Sequence, residues 1–270
     1  MEENTQKSNT IDFSVLRLFQ KFAGSEPDMG KIWFGSEMIV STQPKRKALF
    51  YIPKTEMFTE EFGTSNLRNF VSLISLLDDI DIEFKMPEIY FIDKNAGSMV
   101  SYKSASKTSF KVKLNSNNAA KKLRNISKKL IQEGKYFKFK LTYDLLSKVM
   151  TAGSTIGTGS TKVSTVNFIK ERGDDSLIIQ VSNEEAPNMF NKTISECENA
   201  GNIETFNHTV MVNRFLSLDK PKNEQDNADW DVYIFDGSCE HLGKKIPITW
   251  TYLVSDPFEM IIVYTKDKKR

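Results

Sequence analysis

The sequence predicts an α+β protein of two similar domains, each made of antiparallel sheets and two helices. Three observations lead there. A short amphipathic helix pattern recurs four times, at residues 12–22, 65–77, 142–151 and 211–219. Each copy is followed by short segments that alternate apolar and polar residues, and each carries a basic residue opposite its apolar stripe. At 270 residues the chain also exceeds the usual size of a single core.

The first helix pattern sets Val15, Leu18, Phe19 and Phe22 on one face of a 3.6-residue period and leaves Arg17 and Lys21 outside. Alternating segments at 31–34, 37–42 and 48–53 read as antiparallel strands, broken by Gly35 and a polar turn at 43–47. A fourth strand at 56–62 leads to the second helix. There Leu67, Phe70, Val71, Ile74 and Leu77 turn inward behind a Thr64/Ser65 cap, and Arg68, Ser72 and Ser75 stay outside. Strands at 81–85, 89–93 and 98–104 follow, with Asn95-Ala96-Gly97 tolerant of the positive φ that the last hairpin needs.

A second round starts with a strand at 136–141. Helix 142–151 directs Leu145, Leu146 and Val149 inward and Asp144, Ser147, Lys148 and Thr151 outward, with Gly153 placed to end it. Strands at 162–171, 176–182 and 188–197 come next, the first hairpin turning at Gly173-Asp174-Asp175, and 203–210 leads into the last helix. That helix buries Val212, Phe215 and Leu216, exposes Asn213, Arg214 and Ser217, and stops at Pro221 with Lys220 just before it. Strands at 230–235, 245–252 and 258–265 close the pattern. The expected division is a first domain at 1–105, a basic connector at 106–134 and a second domain at 135–270.

Charge is unevenly placed. Twelve of the 37 basic residues fall between Lys103 and Lys140, against Glu133 alone of the 35 acidic ones, so a net charge of +2 conceals an acidic body with a basic middle. The connector offers a short helix with Leu123, Ile126, Leu130 and Ile131 on one side of Lys121, Lys122, Arg124, Lys128 and Lys129. Such a segment is either a solvated linker or a surface for phosphates or an acidic partner. In the second case Tyr102, Phe110, Tyr136, Phe137 and Phe139 would stack on bases, and the protein would be a nonspecific binder of single-stranded nucleic acid.

Catalytic signatures are missing, and the expectation is a protein that is not an enzyme, with no catalytic residues, no metal and no cofactor. His208 and His241 have no Cys, Asp or Glu at metal-ligand spacing, and no Ser sits in a Gly-x-Ser-x-Gly elbow. Cys197 and Cys239 suit reduced, small core residues. The glycine-rich stretch 153–162 lacks a Gly-Lys-Ser/Thr ending and precedes a strand, so it presents no helix N-terminus to an anion. The polar segment 1–10 and the absence of a long apolar run set an intracellular location and no membrane partner as expectations.

The doubled order of strand, helix and strands, with basic residues outside the helices, resembles the DNA polymerase sliding clamps, above all those of T-even-like bacteriophages. Residues 58–105 match the strand, helix and three-strand half of that family, including Asn66-Leu67 through Leu76-Leu77-Asp78-Asp79. Residues 139–183, with Tyr143-Asp144-Leu145-Leu146 and 163–180, match the start of its second domain. Two departures are a longer, more basic connector at 106–134 and an extended loop at 220–229.

The resemblance implies a DNA clamp fold, with sheets outside and helices lining a ring. It implies a processivity factor that encircles double-stranded DNA, tethers a replicative DNA polymerase, is opened by an ATP-driven clamp loader and can serve late viral transcription in the host cell cytoplasm. Arg17, Lys21, Arg68, Lys148, Arg214 and Lys220 would then face DNA, contacting phosphates without reading sequence. Partner peptides would dock at Tyr252, Val254, Pro257 and Phe258. The ring would be a head-to-tail homotrimer, paired through edges at 98–105 and 188–197.

Overall fold

The structure is a computed structural model that describes residues 32–34, 38–42, 48–53, 58–156, 164–183, 186–211, 229–241, 244–255 and 258–265. The helix expected at 12–22 lies outside these residues, as does that at 211–219 apart from Met211, which ends a strand. The chain divides into two compact units, Met1–Thr42 with Phe50–Asn117, and Gln43–Leu49 with Asn118–Arg270.

In the first unit β1 (Ile32–Phe34), β2 (Met38–Thr42), β3 (Ala48–Pro53) and β4 (Phe62–Thr64) lie in the order β3-β2-β1-β4. The strand expected at 56–62 is shorter and later, because residues 58–61 are irregular and pairing begins where Phe62 meets Phe34. Phe58 packs its ring against Phe34 and Phe62 at 5.1 and 4.9 Å, which draws the chain over the aromatic cluster instead of along the sheet.

Helix α1 (Leu67–Ile74) buries Leu67, Phe70, Val71 and Ile74, as its period requires. Its cap is Asn66, not Thr64 or Ser65. Asn66 Oδ1 accepts the Asn69 N–H at 3.0 Å, while Thr64 Oγ1 accepts the Asn66 N–H at 3.2 Å and lies 2.6 Å from the Tyr102 hydroxyl. Phe70 is fully buried among Phe34, Phe62, Phe91 and Tyr102. Strands β5 (Ile80–Lys85), β6 (Glu88–Asp93) and β7 (Met99–Lys103) form an antiparallel meander. Its last turn uses Gly97 at φ +65 and the Asp93 carboxylate, which accepts the N–H groups of Asp78, Ala96 and Asn95 at 3.0, 2.8 and 2.9 Å. Those donors, Asp78 first, hold the Asp93 carboxyl below the usual carboxylate range.

The connector is more helical than its sequence suggests: a 3₁₀ turn at Lys107–Phe110 runs into α2 (Lys111–Gln132), 22 residues long. Beyond it, β8 (Phe137–Leu141) leads to α3 (Tyr143–Ile156). Gly153 does not end that helix. It is buried within it, and α3 continues to Ile156. Strands β9 (Thr165–Lys170), β10 (Leu177–Asn183), β11 (Ala186–Ile194) and β13 (Phe206–Met211) form a sheet ordered β11-β10-β9-β13, on which α3 packs. Buried positions alternate along β9 and β10, as in Leu177, Ile179 and Val181 of β10. The β9–β10 turn has Gly173 at φ +78, and the buried Lys170 ammonium donates to the carbonyl oxygen of Asp174.

A short strand that periodicity did not reveal, β12 (Cys197–Asn199), pairs with β8 at the end of a second sheet, where β14 (Trp230–His241), β15 (Lys244–Ser255) and β16 (Phe258–Thr265) follow in the order β12-β8-β14-β15-β16. Phe137 and Phe139 of β8 meet Phe206 and Phe168 of the other sheet at 5.2 and 5.5 Å, so the core of this unit lies between the two sheets. The opposite face of β14–β16 is covered too. Phe235, Trp250, Tyr252 and Ile261 cluster there under Leu123, Leu130 and Ile131 of α2. Ile126, expected on that stripe, is 45% exposed, and Ser127 takes the central buried place, its Oγ accepting the Trp250 Nε1–H at 2.9 Å.

Phe70→Ala is expected to destabilise the fold by about 3–5 kcal/mol, read as a lowered urea midpoint. The stability contributed by Asp93 is present above its unfolded pKa near 4 and fades as pH falls toward its lower folded value. Asp93→Asn should therefore make stability less sensitive to acidification between pH 5 and 3, and an unaltered acid sensitivity would refute a charge-based role.

Candidate nucleic-acid interface

The outer faces of α1 and α3 hold two of the six expected DNA-facing residues. On α1 Arg68 and Ser72 are exposed beside Leu73, and in the turn after it Ser75 and Leu76 are exposed, the last 74%. On α3, Asp144, Ser147, Lys148 and Thr151 face solvent, and Lys148 Nζ sits 2.6 Å from Asp144 Oδ2 one turn away. The α3 face is thus nearly neutral where an isolated lysine was expected. Arg17, Lys21, Arg214 and Lys220 lie outside the described residues.

Seven of the twelve basic residues of this segment meet carboxylates within the fold. Lys107 meets Glu61 at 3.3 Å, Arg124 and Lys128 share Glu259, Lys129 and Lys135 share Glu133, and Lys138 and Lys140 meet Asp231 and Asp229 at 3.2 and 3.7 Å. Two of its aromatic residues are not available for stacking either. Phe137 and Phe139 are at most 1% exposed, because alternation along β8 turns both into the core between the sheets. The hydroxyls of Tyr102 and Tyr136 are held at Thr64 and Glu198. The Phe110 side chain lies outside the described residues. A binder of single strands that uses this segment is therefore not supported.

At the expected peptide face, Tyr252 and Val254 lie on β15, Phe258 begins β16 opposite Ser255, and Pro257 lies outside the described residues. Tyr252 is 2% exposed, covered by α2, not a surface contact. Burial, followed by the nearby Glu259 carboxylate, raises its hydroxyl above the usual tyrosine range. Sequence reasoning missed Glu259, the single charge in the apolar run 258–264. Its carboxylate is 8% exposed and forms a two-pronged pair with Arg124, Nε to Oε2 at 2.5 Å and Nη2 to Oε1 at 3.0 Å, with Lys128 at 3.3 Å.

His208 and Cys197 sit within the fold, and the side chains of His241 and Cys239 lie outside the described residues. His208 is buried on β13 with its ring 5.1 Å from that of Phe206. Cys197 is half-buried on β12, and burial pushes its thiol up to about 11. Among the described residues no group of three or more His, Cys, Asp or Glu could hold a metal ion. No described helix is long and apolar enough to cross a membrane.

Strand β7, within the expected edge at 98–105, and β11, which overlaps the one at 188–197, are each the terminal strand of their sheet among the described residues. Met99 on β7 and Met189 on β11 are both 58% exposed.

No protein-family model matches the sequence, and no curated protein matches it. Solved structures do. The chain is similar to a Helicobacter pylori β clamp at TM-score 0.56 and 9% identity, over 96% of this chain and 63% of that one. It is similar to the DNA polymerase III β subunit of Pseudomonas aeruginosa at 0.56 and 12%, over 95% and 63%. It is also similar to a DNA polymerase III β subunit from Eubacterium rectale at 0.56 and 11%, over 97% and 67%. The fold is that of a sliding clamp. The sliding-clamp fold is therefore present over nearly the whole chain, which spans about 63% of the length of the first of these structures. A further Helicobacter pylori β clamp, similar at TM-score 0.50 and 10% identity over 96% of this chain and 65% of that one, was solved bound to a DNA ligase peptide.

Phe137→Ala and Phe139→Ala are each expected to cost about 3–5 kcal/mol of stability, since both rings fill the core. Any loss of nucleic-acid binding in these variants should track unfolding in a urea titration. Lost binding in a fully folded variant would restore the stacking role.

Proposed function

We propose that this chain is a sliding clamp, a DNA polymerase processivity factor that encircles duplex DNA and tethers the replicative polymerase. The observation that carries this reading is the sliding-clamp fold across 95–97% of the chain. The absence of a catalytic constellation in the sequence agrees with a tether that does no chemistry of its own. In this reading 1–105 and 135–270 are the N- and C-terminal clamp domains and 106–134 is the connector.

The working form is a head-to-tail homotrimer, with β7 of one copy meeting β11 of the next. Such an interface is heterologous, and it yields a ring when its rotation closes. The two terminal strands and their exposed methionines support this arrangement. Arg17, Lys21, Arg68, Lys148, Arg214 and Lys220 face the duplex, and an ATP-driven loader opens the ring. Contacts of such cations with phosphates carry no sequence information, which suits a ring that slides. As the Helicobacter pylori β clamp takes a DNA ligase peptide, partner peptides here dock around Tyr252, Val254, Pro257 and Phe258. The bacteriophage type, the host-cytoplasm location and a part in late viral transcription rest on the resemblance of 58–105 and 139–183.

Light scattering coupled to size exclusion tests the ring. A mass of about 93 kDa, three times the 30.9 kDa chain, is expected, with Met99→Asp and Met189→Asp each shifting it toward one chain. After loading, the parent should stay on nicked circular DNA and leave when the circle is cut. A strict monomer at high concentration would overturn the trimer.

A further inference from the structure

The docking face proposed above is closed in this structure, and what closes it is held unlike the other helices. Helix α1 is seated by four buried residues and α3 by Leu145, Leu146, Val149 and Gly153. Between residues 121 and 132, α2 buries only Ser127; Leu123, Leu130 and Ile131 are half-buried, and Ile126 points to solvent. To these half-buried apolar contacts it adds polar ones: Trp250 to Ser127, and Arg124 with Lys128 to Glu259. Beneath lies an apolar surface of Phe235, Trp250, Tyr252 and Ile261, each at most 3% exposed.

Glu259 decides what can replace α2. A carboxylate in an aromatic surface is tolerated while a cation pairs with it, and becomes costly when that cation leaves. Neutral apolar peptides would strand the charge. A segment bringing its own guanidinium or ammonium would restore the pair as it fills the apolar surface.

We propose that the 121–132 half of α2 is a displaceable cover, and that the partner segment is a basic amphipathic helix of the same pattern as α2. That pattern is an aliphatic residue followed directly by Arg or Lys, a small residue four positions after the aliphatic one, and aliphatic residues seven and eight positions after it, as in Leu123, Arg124, Ser127, Leu130 and Ile131. This inference rests on the reading of the face around Tyr252 as a peptide site. The cover regulates that site, because a partner binds only by out-competing a tethered copy of its own motif.

A labelled synthetic peptide of residues 119–133 is the probe, titrated into the full chain. The parent, with its own helix in place, should bind it weakly. Arg124→Ala with Lys128→Ala loosens the cover but keeps Glu259, so this chain should bind the peptide at least tenfold tighter, and amides of 121–132 should exchange at least tenfold faster. The gain should vanish if the peptide carries Arg124→Ala, or if Glu259→Gln is added to the chain. The added Glu259→Gln also removes the stranded charge, so unaltered exchange protection of β14–β16 in this triple variant establishes that the fold survives. Unaltered exchange of 121–132 in the double variant would overturn the cover. Faster exchange without peptide binding would overturn the docking site itself.

Discussion

The middle of the sheet formed by β14, β15 and β16 buries large apolar residues on both faces, and much of the second unit follows from the need to cover each of them. Even-numbered residues of β14, such as Trp230, Val232 and Ile234, face the sheet of β9, β10, β11 and β13, and Phe235 faces the other way. Even-numbered residues of β15 do the reverse, Trp250 and Tyr252 lying under α2 while Thr251 and Leu253 are buried on the core side. A sheet of this kind cannot leave either face to water without exposing large aromatic rings. The connector is therefore part of the fold, and its helix is long enough to cover the second face.

That cover accounts for the fate of the charge. Along the sequence, basic and acidic residues are segregated; in the folded chain they lie side by side. Arg124 and Lys128 meet Glu259, and Lys138 and Lys140 meet Asp231 and Asp229 of β14 or the residue before it. Exposed members of this set contribute little to stability, whereas the Arg124–Glu259 pair is shielded from solvent and holds α2 in one register. Part of a basic stretch in sequence is thus paired with carboxylates on or beside a neighbouring strand.

Legibility follows the range of the interactions. Helix α1 and strands β5, β6 and β10 are set by alternation or 3.6-residue period within a dozen residues, and the periodic reading places their buried faces correctly. Shifts at their ends come from single side-chain contacts. Asn66 displaces Thr64 and Ser65 as the cap because Thr64 is engaged with Tyr102 across 38 positions. Gly153, which looks like a stop signal, is held inside α3 by burial. Strand β12 is three residues long, too short for alternation to register, and exists through its pairing with β8.

By itself, the sequence determined the α+β class, the inward stripes of the second and third helix repeats, and the outward placement of Arg68 and Lys148, because periodicity is a local property of the chain. Tertiary structure alone decided that α2 closes the face holding Tyr252, that Glu259 pairs with Arg124 and that Ser127 rather than Ile126 sits at the centre of the contact. Those choices join residues 135 and 123 positions apart, and no short-range pattern encodes which distant strand a helix will cover.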